Sequence, residues 1–120
     1  MSRILVVDDD PDARALISSA LAGVGHEVLE AHDPHGAMRW VLSRRPDLAV
    51  VDIVLPEFSG VDVVRAIHGV RGTEQLPVVA ITGYRTPETL LAPESFGARC
   101  VLRKPFTGEE IVGAVARYLA

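Results

Sequence analysis

The chain has 120 residues, 48% of them hydrophobic, and carries 12 Lys plus Arg against 16 Asp plus Glu, a net charge of −4. This length supports one domain with its own apolar core, and the acidic balance gives no general attraction for nucleic acid or an anionic membrane. The single cysteine, Cys100, excludes a disulfide framework and is predicted to be a small buried thiol in a reducing compartment. The first apolar run, Ile4-Leu5-Val6-Val7, is too short for a signal peptide. No stretch approaches the roughly 20 apolar residues that span a membrane. A cytoplasmic location is expected.

Ile4 to Val7 reads as a strand that ends in Asp8-Asp9-Asp10. Asp10 is placed to cap a helix whose first position is Pro11, where a missing N–H costs nothing. Ala13, Leu16, Ile17, Ala20, Leu21 and Val24 then recur with helical spacing, and Gly23 and Gly25 close the helix. Glu27 to Ala31 is a short strand. Asp33-Pro34 opens a second helix to about Arg44, with Ala37, Met38 and Val41 inward and Trp40 beside that stripe, packing on the sheet edge. Leu48-Ala49-Val50-Val51-Asp52 reads as a central strand buried on both faces and ending in a carboxylate. A third helix runs from Gly60 to about His68 with Val61, Val64 and Ile67 inward. Pro77 to Thr82 is a fourth strand, followed by Gly83. Pro87 could begin a helix, but Pro93 would break or kink it, so a short or irregular element is expected. Cys100 to Lys104 is a fifth strand, and after Pro105 a last helix places Ile111, Val112, Val115 and Leu119 on one side.

Short strands alternating with helices imply parallel pairing through right-handed crossovers, giving a single-domain three-layer α/β sheet with helices on both faces. Ligands of such sheets bind at the carboxyl ends of the strands, so Asp8, Asp9, Asp52, Thr82 and Lys104 are predicted to converge. Three carboxylates in one pocket repel unless a cation is present. Their hard oxygens suit Mg²⁺, which takes one or two carboxylates and completes its shell with water and phosphate oxygens. A carboxylate can act as a nucleophile toward phosphorus when the developing charge is neutralised. Asp52 is the candidate, with Lys104 as a point charge and the Thr82 hydroxyl and Gly83 N–H as donors.

Val7-Asp8-Asp9, Asp52 with Leu55-Pro56 and Ser59-Gly60, Ile81-Thr82-Gly83 and Lys104-Pro105-Phe106, in this order, resemble the receiver domains of response regulators, over Arg3 to Leu119. The resemblance implies a doubly wound, flavodoxin-like sheet of order 2-1-3-4-5 across residues 1–120. It implies that Asp52 accepts a phosphoryl group from a sensor histidine kinase or a histidine phosphotransfer protein and signals to a protein target. Asp9, Asp52 and the Val54 carbonyl would ligate Mg²⁺, Asp8 would hold a water on the metal, Lys104 would contact the phosphoryl oxygens, and Thr82 would be the switch. The Lys104-Pro105 bond is expected cis.

Two positions depart from the pattern. Val101 stands where receivers carry Tyr or Phe, and a branched aliphatic cannot make the same rotamer exchange, so the outward relay is expected to differ; Tyr84 is a possible replacement aromatic. Val54 replaces a frequent polar residue and, with Tyr84, is expected to influence the lifetime of the phosphoryl-aspartate. His26, His32, His35 and His68 read as surface histidines, and Arg39, Arg44 and Arg45 as a solvated face. A phosphorylation-independent pseudo-receiver is the first alternative. A Mg²⁺-dependent phosphatase using Asp8 as nucleophile and Asp10 as acid-base is the second, and an enzyme is not expected.

Overall fold

In the computed structural model, which describes residues 1–55, 57–83 and 92–119, strands and helices alternate along the chain. The strands are β1 (Arg3–Val7), β2 (Glu27–Ala31), β3 (Leu48–Asp52), β4 (Val78–Thr82) and β5 (Cys100–Arg103). The helices are α1 (Pro11–Gly23), α2 (Pro34–Arg44), α3 (Gly60–His68) and α4 (Gly108–Tyr118), and a 3-10 turn spans Pro93–Phe96. All strands pair in parallel in the order β2-β1-β3-β4-β5, so their carboxyl ends share one edge.

The helix starts follow their sequence signals. Asp10 accepts from the Asp12 N–H ahead of α1, Asp33 from Gly36 ahead of α2, and Thr107 forms a reciprocal capping box with Glu110 on α4. The five residues of β3 are all buried because apolar layers cover both faces. On one side Ala37 and Val41 of α2 and Val61, Val64 and Ile67 of α3 meet Leu5, Val7, Ala49 and Val51. On the other, Ile17 and Leu21 of α1 and Ile111 and Val115 of α4 meet Ile4, Val6, Val50 and Ile81.

The differences from expectation are local. Of the six residues predicted to line α1, only Ile17 and Leu21 are buried, while Leu16 is 43% exposed and Val24, at the helix end, is 54% exposed. The helix packs on a narrower stripe than its apolar spacing suggested. β4 begins at Val78 rather than at Pro77, and β5 ends at Arg103, although Lys104 N still donates to Thr82 O at 2.8 Å. Pro93 begins a single 3-10 turn that seats Phe96 in the core; the helix considered at Pro87 lies outside the described residues.

Cys100 is half-buried rather than fully buried, and burial pushes its thiol pKa up. His32 and His35 are exposed as expected. His68 is half-buried, and its Nε2 donates to Leu76 O at 2.8 Å, since a carbonyl can only accept. His26 is half-buried as well and accepts from Ser2 N at 3.2 Å. Arg39, Arg44 and Arg45 are exposed, with Arg44 pairing to Glu27 at 2.7 Å and Arg45 donating to Arg71 O at 2.8 Å. Trp40 packs half-buried against the α2–α3 layer, and its Nε1 donates to the Glu30 carbonyl at 2.8 Å. The Lys104-Pro105 peptide is cis.

Candidate functional site

β1 delivers Asp8 to the sheet edge with its side chain fully buried. Oδ1 of Asp8 accepts from Asp10 N at 3.0 Å, which folds the turn toward α1. β3 delivers Asp52, 3% exposed, with Oδ1 accepting from Val54 N at 2.8 Å and Oδ2 from Lys104 Nζ at 2.9 Å. The Lys104 ammonium, reaching in from the end of β5, also lies 3.0 Å from Asp8 Oδ2. That contact is an ion pair by distance, and among the described residues Asp8 Oδ2 has no hydrogen-bond partner. Asp8, Asp9 and Asp52 each offer a carboxylate oxygen, all within 4.8 Å of one another.

The electrostatics follow from this crowding. Burial raises the Asp52 pKa above the ordinary carboxylate value, with Asp8 adding to the effect, against the lowering influence of Lys104 and the Val54 N–H. Burial alone would lower the pKa of Lys104, but the hydrogen bond to Asp52 and the charges of Asp52 and Asp8 outweigh it, and the ammonium is held above its usual value. Asp10 is not one of the three clustered carboxylates, and its Oδ1 accepts from Asp12 N to cap α1.

The floor of the site depends on a glycine. Gly60 N donates to Ile53 O at 3.0 Å, and a Cβ built on Gly60 would lie 2.1 Å from the carbonyl oxygen of Asp52. Only glycine lets α3 start this close to the end of β3. Ser59 caps the helix from its Oγ to Val61 N at 3.2 Å, and Val54 bridges to Ser59, closing the β3–α3 loop.

An open cleft of about 670 Å³ results, lined by Asp9, Asp10, Asp52, Val54, Leu55, Gly83 and Lys104. Of the residues anticipated from sequence, Asp9, Asp52, Val54, Gly83 and Lys104 line this cleft, Asp8 joins them through Lys104, Gly83 lies beneath the Lys104 stem, and Thr82 is buried at the end of β4. Val101 is half-buried on the α2–α3 side of the sheet. Tyr84 lies outside the described residues. Sequence reasoning missed the contact that sets Gly60, the Val54 N–H as a donor to Asp52, and Arg14, whose Nη1 donates to the Asp8 carbonyl at 2.8 Å. The Ser59-Gly60 pair was visible as a motif without its steric cause, and nothing in the helical pattern distinguished Arg14.

Three carboxylates, one with a buried oxygen that has no hydrogen-bond partner among the described residues, could hold a hard divalent cation. Residues 4–116 match the family model described as the response regulator receiver domain. The chain belongs to this family. Among curated relatives, this receiver is 34% identical over 116 residues to the DNA-binding transcriptional regulator NtrC of Azospirillum brasilense, an alignment covering 97% of this chain and 24% of that protein. It is 37% identical over 114 residues to the DNA-binding response regulator MtrA of Mycolicibacterium smegmatis, covering 94% of this chain and 48% of that one. The receiver thus spans between a quarter and a half of these relatives. Among solved structures, chemotaxis protein CheY4 of Vibrio cholerae superposes with a TM-score of 0.91 at 28% identity, covering 99% of both chains.

Proposed function

We propose that Asp52 is the phosphoacceptor of this receiver. The observation that carries this reading is the pairing of Asp52 Oδ2 with Lys104 Nζ at 2.9 Å inside a cleft that also gathers Asp8 and Asp9. A carboxylate oxygen of Asp52 attacks the phosphorus of a phosphohistidine on a sensor histidine kinase or histidine phosphotransfer protein. An O–P bond forms, the N–P bond breaks, and the departing imidazole keeps the electron pair and takes up a proton. Asp9, Asp52 and the Val54 carbonyl would hold Mg²⁺, with Asp8 beside them, and the bound ion would supply charge neutralisation to the phosphoryl oxygens.

The chain's own groups carry the remaining roles. Lys104 transfers its ion pair from Asp52 Oδ2 to a phosphoryl oxygen, the Gly83 N–H and Thr82 hydroxyl donate to the others, and Thr82 moves as the switch. The Val54 side chain, which lines the cleft, restricts water near the acyl phosphate and so influences its lifetime. With Val101 at the usual aromatic position, the movement of Thr82 is relayed without a ring swinging inward. Ala13, Leu16, Pro105 and Phe106 line a cavity of about 260 Å³ beside the site, reaching Asp10 and Lys104. This apolar rim suits the landing of the phosphohistidine carrier.

Residues 1–120 form the receiver unit, acting in the cytoplasm as a regulator that signals to a protein target rather than as an enzyme. No helix of the described residues is long and apolar enough to cross a membrane. Calorimetric titration with beryllofluoride, an acyl-phosphate mimic, tests the reading. Binding that requires both Mg²⁺ and Asp52 is expected, and equal binding by Asp52→Asn overturns it.

A further inference from the structure

We propose that Arg14 is a positioning residue for metal binding, acting on the acidic turn from outside the cleft. Arg14 lies on the first turn of α1, and its guanidinium makes two contacts at once: Nη1 donates to the Asp8 carbonyl at 2.8 Å and Nε donates to Glu30 Oε1 at 3.1 Å. Glu30 belongs to β2, one strand over from β1. Asp8 is therefore held from three directions. Its N–H donates to Ala31 O at 3.1 Å, its Oδ1 accepts from Asp10 N, and its carbonyl is gripped by Arg14.

The carbonyl contact fills a gap in the ladder. β1 ends at Val7 and β2 at Ala31, so no further strand residue is available to satisfy the Asp8 carbonyl at the sheet edge. Arg14 supplies that donor and fixes the orientation of the Asp8–Asp9 peptide, from which both carboxylates project toward Asp52. A guanidinium fork can serve a carbonyl and a carboxylate together, whereas an ammonium on a flexible stem holds neither direction. The Arg14–Glu30 pair is partly exposed, at 22% and 48% of the side chains, and contributes little to stability by itself. Its effect is on where the ligands point, the part played by residues that orient metal ligands. Glu30 also accepts from Trp40 Nε1 through its own carbonyl, which ties the anchor to α2.

The inference rests on the Mg²⁺ reading given above, and the test separates the two. Mg²⁺ affinity is measured by calorimetry on the full chain and on Arg14→Gln, Arg14→Lys and Glu30→Ala, alongside thermal melts without Mg²⁺. Arg14→Gln is expected to bind Mg²⁺ roughly tenfold more weakly. Arg14→Lys, which keeps the charge without the fork, is expected to remain about fivefold weaker, and Glu30→Ala to weaken binding in the same direction. Melting temperatures close to the parent mark the effect as one on ligand placement. Arg14→Gln affinity within about twofold of the parent, or full rescue by Arg14→Lys, overturns the proposal while leaving the metal site in place. Absence of Mg²⁺ binding by the parent chain overturns both.

Discussion

Gly60→Ala should damage stability and site together. The new Cβ would lie 2.1 Å from Asp52 O, 2.4 Å from Ile53 Cα and 2.8 Å from Asp52 C, all backbone atoms, where real Cβ contacts essentially never fall below 3.0 Å. The end of β3 and the start of α3 must therefore separate by about 0.9 Å at the closest contact. Overpacking of this kind costs about 1–3 kcal/mol and more where the backbone cannot move. Here the backbone is held on both sides, by Gly60 N to Ile53 O and by Ile53 N to Ile81 O, both at 3.0 Å. A loss of about 3 kcal/mol is expected, equivalent to a fall in Tm of roughly 12 °C for a domain of this size. Because the displaced atoms are those of Asp52 and Ile53, Mg²⁺ affinity should fall in the folded fraction as well. Thermal melts followed by circular dichroism, with calorimetric Mg²⁺ titration well below the transition, measure both. A Gly60→Ala Tm within about 2 °C of the parent would refute the close approach as the reason for glycine.

Three further outcomes follow from the site and its rim. Burial raises the folded pKa of Asp52, so its ionised form costs stability at neutral pH; the cost is absent below the unfolded value of 3.8 and sets in as pH rises through the folded value. Asp52→Asn should then melt above the parent at pH 7, with the gap closing as pH falls toward 4, and a lower Tm at neutral pH would contradict this. Lys104 has a raised folded pKa, so its contribution is fully present below 10.5 and lost as pH rises through the higher folded value. Lys104→Ala should lose about 2 kcal/mol in urea melts at pH 7, less than a fully buried pair because the side chain is 22% exposed, and the deficit should shrink at strongly alkaline pH. Leu16→Asp, on the apolar rim, should slow phosphotransfer from a histidine kinase by about tenfold while leaving phosphorylation by acetyl phosphate little changed; equal slowing of both would remove the docking role.

The alternation of apolar strands with capped helices made the sheet and its edge legible, because Asp10-Pro11, Asp33-Pro34 and the run at Leu48 each carry a local physical cause. The convergence of Asp8, Asp9, Asp52 and Lys104 was legible for the same reason: parallel strands place their last residues on one edge. What escaped were interactions between elements. The exposure of Leu16 depends on how α1 lies beside α4 and the Pro105–Phe106 turn, which helical spacing does not encode. His68 looked like a surface residue, but the chain after α3 turns back and presents the Leu76 carbonyl to it. The grip of Arg14 on Asp8 and the steric need for Gly60 arise from contacts across elements, so neither leaves a periodic trace.

Asp52 is proposed to form an acyl phosphate in a reaction that needs Mg²⁺. Intact-mass measurement after incubation with acetyl phosphate tests it directly. One phosphoryl group is expected to add, only with Mg²⁺ present, and not in Asp52→Asn. The same mass increase in Asp52→Asn, or its appearance without Mg²⁺, would contradict it.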